Sequence, residues 1–223
     1  MFPTGTVNIT IRNQELVLLP QKALFWQDKK YLILSDLHLG KTGHFRKSGI
    51  AAPGKANLKN LDRLSNLIDN IQPKKILFLG DLFHSSANRE WFQFEEWRKA
   101  FSKLDILLVS GNHDQLHKSF YQSAAIEVTE NFEAGNFLFV HDGTDLQKIP
   151  DKTIISGHIH PGVKLKGKGK QRFRLPCFSI SDQQIILPAF GEFTGLHIIQ
   201  PDENRKIFPI VENSVIDLNT RTE

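Results

Sequence analysis

Five short apolar runs in this chain each end on residues that can hold a metal ion or move a proton. Tyr31 to Leu34 runs into Ser35-Asp36-Leu37-His38, and Ile76 to Leu79 into Gly80-Asp81. Ile106 to Val109 runs into Ser110-Gly111-Asn112-His113-Asp114, Phe137 to Val140 directly into His141, and Thr153 to Ile155 into Ser156-Gly157-His158-Ile159-His160. Runs of three or four apolar residues bounded by turn residues read as buried strands. Polar groups concentrated at strand carboxyl ends read as a ligand-binding edge of an α/β sheet. Five of the nine histidines are spent there.

Between these runs the period changes. Leu58, Leu61, Leu64, Ile68 and Ile71 recur at helical spacing, and Pro73 stops them,. Trp91, Phe94, Trp97 and Phe101 do the same, with Ser85, Ser86 or Asn88 available as a cap, and core packing is the plain reading of that aromatic stripe,. Val7, Ile9 and Ile11 alternate, and the runs Leu16 to Leu19 and Ala23 to Trp26 add strands before the first helix,. The first half is therefore built of βαβ units on a central parallel sheet. From Ile126 onward the apolar runs are short and separated by turn residues, giving a strand-rich second half. The fold expected is an α/β class, four-layer-like sandwich. No repeat or linker divides the chain, so residues 1–223 are expected to form a single domain.

Forty per cent apolar side chains, with seventeen Phe and three Trp, suffice for a substantial core and exclude general disorder,. No apolar run exceeds four residues, so neither a membrane span nor a signal-peptide core is signalled,. The single cysteine, Cys177, excludes an internal disulfide and a zinc–thiolate cluster, which suits a reducing compartment,. A cytoplasmic location is expected.

Oxygen and imidazole donors without thiolates suit Mn, Fe, Zn or similar divalent ions. The candidates are too many for one ion and suggest two ions sharing a carboxylate. On an extended segment Asp36 and His38, two residues apart, face the same side, as do His158 and His160. Glycines 80, 111 and 157 stand just ahead of these residues, where they permit tight turns and close backbone approach,.

The order Asp-x-His, Gly-Asp, Gly-Asn-His-Asp, His, Gly-His-x-His resembles the calcineurin-like metallophosphoesterases over residues 30 to 161. A finer likeness to the bacterial ligase-associated DNA-repair phosphoesterases, described as endonucleases, reaches nearly end to end. It rests on Leu24-Phe-Trp26, Asp36-Leu-His-Leu-Gly-Lys41, Phe45-Arg46 with Gly49, and Gly80-Asp-Leu-Phe-His-Ser85. Leu175-Pro-Cys-Phe178 and Leu187-Pro-Ala-Phe-Gly191 with Phe193-Thr-Gly195 complete it. The resemblance implies that Asp36, His38 and His160 hold one ion, Asn112, His141 and His158 a second, and Asp81 bridges them. It also implies His113 as the catalytic histidine, oriented by Asp36 or Asp114, and in-line attack by hydroxide without a covalent intermediate. Manganese is the first expectation for both ions, with Fe, Zn and Co as alternatives. Where the general family has Gly-Asp-x-x-Asp this chain has His84, which is either a substrate contact or a surface residue. Arg46, following His44, could face the same cleft and suit phosphate. His117 and His197 have no motif support and read as structural.

The formal charge of +4 is unevenly distributed. Six of the 28 basic residues, Lys164, Lys166, Lys168, Lys170, Arg172 and Arg174, occupy alternate positions without an acid among them. Elsewhere 22 bases meet 24 acids, a net of −2. If the segment is extended all six share one face; Gly167 and Gly169 could instead make it a hairpin tip. Such a strip suits a polyanion, and its plainer alternative is a solvated hairpin edge. The function expected is thus a two-metal phosphodiesterase acting on DNA in repair, beside a repair ligase or helicase, and without a membrane. The alternatives are a phosphatase or phosphodiesterase for nucleotides or phosphoproteins, and a non-catalytic nucleic-acid-binding scaffold.

Overall fold

The computed structural model describes residues 2–41, 56–84, 89–147, 149–167, 169, 171–192, 194–200 and 203–218. His44, Arg46, Lys168, Lys170 and the proposed caps Ser85, Ser86 and Asn88 lie outside them.

The first sheet has the order β1 (Val7–Ile11), β2 (Gln14–Leu19), β3 (Ala23–Trp26), β4 (Tyr31–Leu34), β5 (Lys75–Leu79), β6 (Asp105–Val109), β7 (Ile126–Thr129). Its first four strands are antiparallel and β4 through β7 are parallel. The crossovers carry α1 (Ala56–Ile71), α2 (Arg89–Ala100) and α3 (Lys118–Ser123); the first two make the expected βαβ units, and α3 adds a third by leading to β7, which joins this sheet rather than the second half. His117 caps α3, its ring nitrogen accepting from the Ser119 amide.

Continuous apolar strands are explained by burial on both faces. Leu32, Leu34, Ile76, Phe78, Ile106 and Leu108 meet Leu61, Leu64, Leu67, Ile68, Trp91, Phe94 and Trp97 of the helices. Their alternates Ile33, Leu77, Leu79, Leu107 and Val109 meet Phe137, Phe139, Ile155, Phe178 and Ile185 of a second sheet. One departure from the expected helical stripe is Leu58, which is 41% exposed. It lies in the first turn of α1, while Leu67, one turn before Ile71, takes a place in the core.

The second sheet includes β8 (Phe132–Ala134), β9 (Phe137–Phe139), β10 (Thr153–Ser156), β11 (Pro161–Lys166), β12 (Arg172–Ile180), β13 (Gln184–Ile186) and β14 (His197–Ile198). It runs β14-β11-β12-β13-β10-β9-β8, with β15 (Lys206–Val211) paired to β12 and to β16 (Ser214–Val215). Strands β9 and β10 are parallel, like β4, β5 and β6. The carboxyl ends of these five strands meet along one edge of the sandwich. The bridge between Ser35 and Ala189 joins the sheets there.

Candidate metal centre

The loops leaving β4 and β5 are tied by backbone bonds. The Asp36 amide donates to the Gly80 carbonyl (3.1 Å), the His38 amide to the Asp81 carbonyl (2.9 Å) and the Leu39 amide to the Leu82 carbonyl (3.0 Å). Asp36, His38, Asp81, His158 and His160 all have positive φ, between 49° and 67°. The Asp36/His38 and His158/His160 pairs are therefore not extended, as the spacing suggested. Each member of a pair is turned by a left-handed backbone, so convergence comes from the turn rather than from strand alternation.

The first donor cluster faces Asp36 Oδ1. His160 Nε2 stands 3.2 Å from it and His38 Nε2 3.9 Å, while the two ring nitrogens are 3.2 Å apart. Asp81 Oδ2 is 3.8 Å from His38 Nε2. Asp36 Oδ2 is satisfied by the Ser35 hydroxyl and by the His158 amide (3.0 Å), whereas Oδ1 is buried without a hydrogen bond. Burial alone would raise the Asp36 carboxyl, but His160 beside it and the Ser35 hydroxyl outweigh that and hold it below the usual range. Burial, with the Lys41 ammonium nearby, pushes His38 down to about 2, so its ring is neutral and has a lone pair to donate,.

The second cluster faces the other oxygen of Asp81. His141 Nε2 is 3.5 Å from Asp81 Oδ1, 3.0 Å from Asn112 Oδ1 and 3.0 Å from His158 Nδ1. His141 Nδ1 is 2.9 Å from the Leu79 carbonyl and so carries the ring proton, leaving Nε2 bare,. His158 Nε2 is turned toward Asp142 Oδ2 at 3.6 Å, and its Nδ1 faces the cluster. The bare His141 Nε2 and the Asn112 and Asp81 oxygens 3.0 to 3.5 Å from it repel one another unless a cation lies between them,. Donors about 2.0 to 2.2 Å from one ion stand at about such separations. Asp36, His38 and His160 form one group able to hold an ion, and Asp36, Asp81 and His141 another. Asp36, His38, Asp81 and His141 are buried, His158 and His160 half-buried, and Asn112 exposed, so the cluster opens to solvent at Asn112.

His113 donates its amide to Asp81 Oδ1 (3.0 Å), and its ring lies 4.1 Å from that of His84, centroid to centroid. Asp114 Oδ1 accepts from the Phe83 amide (3.0 Å) and Oδ2 from the Gly111 amide (2.9 Å). The Asp114 carboxylate thus braces the two loops under His113. Burial pushes it up to about 6, against the lowering effect of those two amides.

The glycines ahead of the candidate ligands allow close approach. A Cβ at Gly80 would lie 2.2 Å from His141 Nδ1, at Gly111 2.4 Å from Asp81 Oδ1, and at Gly157 2.5 Å from Asp36 Oδ2. Only Gly80 of the three also has positive φ. Sequence reasoning missed the supports of the cluster, Ser35, Asp142 and the strap from Leu187 to Gly191. The Leu187 amide donates to the Ser156 carbonyl (2.8 Å), Phe190 to Ser35 (2.9 Å) and Gly191 to Asp36 (2.9 Å). Arg63 of α1 holds the strap from outside, donating to the Phe190 carbonyl and lying 4.3 Å over its ring. The motif Leu-Pro-Ala-Phe-Gly was visible in the sequence, but nothing in its residues revealed which loops it joins.

Residues 29–178 match the family model for calcineurin-like phosphoesterases. The crystal structure of the nuclease MPE of Pseudomonas putida is 31% identical, with a TM-score of 0.81; the match covers 95% of this chain and 100% of that one. The phosphoesterase Yfce of E. coli is 14% identical, with a TM-score of 0.44, covering 83% of this chain and 96% of that one. The Aquifex aeolicus protein AQ665, of unknown function, is 18% identical with a TM-score of 0.41, covering 63% and 82%. No curated protein matches the chain.

Proposed function

The chain belongs to the calcineurin-like phosphoesterase family and is a metal-dependent hydrolase, and on that footing we propose that it is a dinuclear phosphodiesterase cleaving DNA as a repair endonuclease. The observation that carries the two-ion reading is Asp81, whose Oδ2 faces His38 of the Asp36/His38/His160 cluster and whose Oδ1 faces His141, itself beside Asn112. Bound there, two divalent ions supply Lewis acidity and hydroxide near neutral pH. Asp36, His38 and His160 hold the first, Asn112, His141 and His158 the second, and Asp81 both. The donor set accepts Mn, Fe, Zn or Co, and Mn is the ion to offer first.

Phosphodiester hydrolysis leaves an alkoxide that needs a proton, and His113 at the open side of the cluster supplies it from its ring. Asp114 positions the His113 loop through the Phe83 and Gly111 amides. His84, whose ring lies against that of His113, contacts the substrate beside it. Likeness to a nuclease over almost the whole chain supports a nucleic-acid substrate. The shared apolar core between the sheets supports reading residues 1–223 as one domain. A buried lone Cys177 suits the cytoplasm,. A repair ligase or helicase is the partner class this assignment implies.

The test offers single-stranded, double-stranded and branched DNA together with bis(4-nitrophenyl) phosphate, with Mn and other divalent ions, using Asp81→Asn as the control. Metal-dependent internal cleavage of DNA by the wild type alone, with two ions bound per chain, is expected. Hydrolysis of the aryl diester with every DNA left intact would move the substrate away from DNA. One ion per chain in the active enzyme would overturn the dinuclear reading.

A further inference from the structure

The alternating basic segment is folded into a ribbon rather than one straight strand. Strand β11 pairs antiparallel with β12, placing Lys164 opposite Arg174 and Lys166 opposite Arg172. The Gly167 amide closes the turn on the Gln171 carbonyl (3.0 Å). Residues directly opposite share a face, so these four exposed cations lie together on one side of the ribbon,. Val163, Leu165, Phe173 and Leu175 occupy the other side. Like charges placed directly opposite weaken strand pairing, and two such pairs follow one another here. Among the described residues no ion pair involves any of the four. The arrangement therefore works against the hairpin itself and fits a polyanion from outside.

Two observations orient this face. Phe178, on the same side of β12 as Arg174 and Arg172, packs in the core between the sheets,. The cationic side thus looks toward the first sheet, which carries Asp36 and Asp81. The ribbon also begins at the residue after His160, whose carbonyl accepts from the His197 amide (3.0 Å), and Arg174 donates to the Leu196 carbonyl (3.0 Å). Lys164 and Lys166 lie four and six residues beyond His160, so at roughly 3.3 Å per residue they are about 13 and 20 Å away.

We propose that the β11–β12 ribbon is a backbone-binding arm for a nucleic-acid strand, gripping phosphates about four to six nucleotides from the bond cut, since phosphates follow one another at about 3.4 Å along one strand. This rests on the nuclease reading and adds a length requirement to it. A mononucleotide or an aryl diester held at the donor cluster is too short to touch the arm.

The experiment replaces Lys164, Lys166, Arg172 and Arg174 together with Gln in the full chain. Binding of duplex oligonucleotides from about four to about twenty base pairs is read by fluorescence anisotropy in EDTA across salt concentration. Turnover of bis(4-nitrophenyl) phosphate is read separately with Mn. The wild type should gain affinity with length up to about twelve base pairs. The variant should lose most of that gain, and its log–log salt slope should be shallower by about 3 to 4, with aryl-diester turnover unchanged. A variant with the wild-type length dependence and salt slope overturns the arm. So does equal loss of binding and aryl-diester turnover in a folded variant. The single variants Lys166→Gln and Arg172→Gln, each expected to lower the slope by about 1, keep the question open to refutation if the quadruple variant does not fold. Because binding is read without metal, failure of DNA cleavage would count against the nuclease reading and leave the arm to be judged on affinity.

Discussion

Substituting Gly191 by Ala tests whether the strap from Leu187 to Gly191 sets the position of Asp36. A Cβ there would lie 2.6 Å from the Leu37 carbonyl oxygen, 2.9 Å from that of Asp36 and 3.1 Å from the Leu37 carbonyl carbon. These are backbone atoms, so no side chain can swing away. Restoring ordinary contact requires the strap and the Asp36–Leu37 backbone to separate by roughly 0.8 Å. That strains the bond from the Gly191 amide to the Asp36 carbonyl and shifts Asp36 relative to His160. Overpacking of this kind costs about 1 to 3 kcal/mol, or roughly 2 to 12 °C in Tm for a chain of this size. Displacing a support behind a ligand costs about 10- to 100-fold in metal affinity. Gly195→Ala is the internal control, because nothing lies within 4 Å of a Cβ at that position. Calorimetric titration with Mn and thermal melting of both variants give the comparison. Wild-type affinity and Tm in Gly191→Ala, matching Gly195→Ala, would refute the reasoning.

Asp142→Asn removes the carboxylate facing His158 Nε2 and should weaken Mn binding by up to about tenfold while leaving melting of the metal-free chain unchanged, which the same titration and a metal-free melt would check,. Lys22 is pushed down to about 8 by burial and by the Arg63 charge, with Glu192 opposing. Because the unfolded lysine titrates near 10.4, the unfolded chain holds more protons above about pH 8, and folding stability gains as pH rises through that window. Denaturant melts of wild type and Lys22→Gln should therefore diverge in favour of the wild type between about pH 8 and 10; parallel profiles would contradict this. Burial pushes the Cys177 thiol up to about 12, so it should stay unreactive toward thiol reagents in the native protein and react on unfolding,.

The strands leading to the donor cluster were legible because burial on both faces demands unbroken apolar runs, and each run ends where the polar donor residues begin. Helices α1 and α2 were legible from their stripes, apart from the exposed Leu58, whereas α3, six residues long, is too short to show one. Asp142 and Ser35 were not legible as supports, although each adjoins a candidate ligand, because adjacency does not say which way a carboxylate or hydroxyl turns. The Leu-Pro-Ala-Phe-Gly motif of the strap has no role legible from sequence, since its partners Ser35, Asp36 and Ser156 are separated from it by anywhere from about thirty to about 150 positions. The basic segment showed its charge but not its fold; pairing Lys164 with Arg174 depends on a turn at Gly167 to Gln171 that alternation alone does not require.

Neighbouring strands in a sheet stand about 4.8 Å apart, whereas the donor atoms of this cluster are separated by 3.0 to 3.9 Å,. Loops leaving those strands must close that gap, and the left-handed donor residues and small glycines are two consequences of the same demand. Turning the backbone at Asp36, His38, Asp81, His158 and His160 aims their side chains inward, at a cost of about 1 to 2 kcal/mol for each non-glycine residue,. Removing the Cβ at 80, 111 and 157 lets one loop's backbone rest against another loop's donor residue. Such conformations persist only where the surroundings over-determine them, which the backbone bonds Asp36–Gly80, His38–Asp81 and Gly157–His141 do,. The donors are therefore preorganised by the two sheets. Substitutions that loosen these loops should be felt first in metal affinity, before the apolar core beneath them gives way.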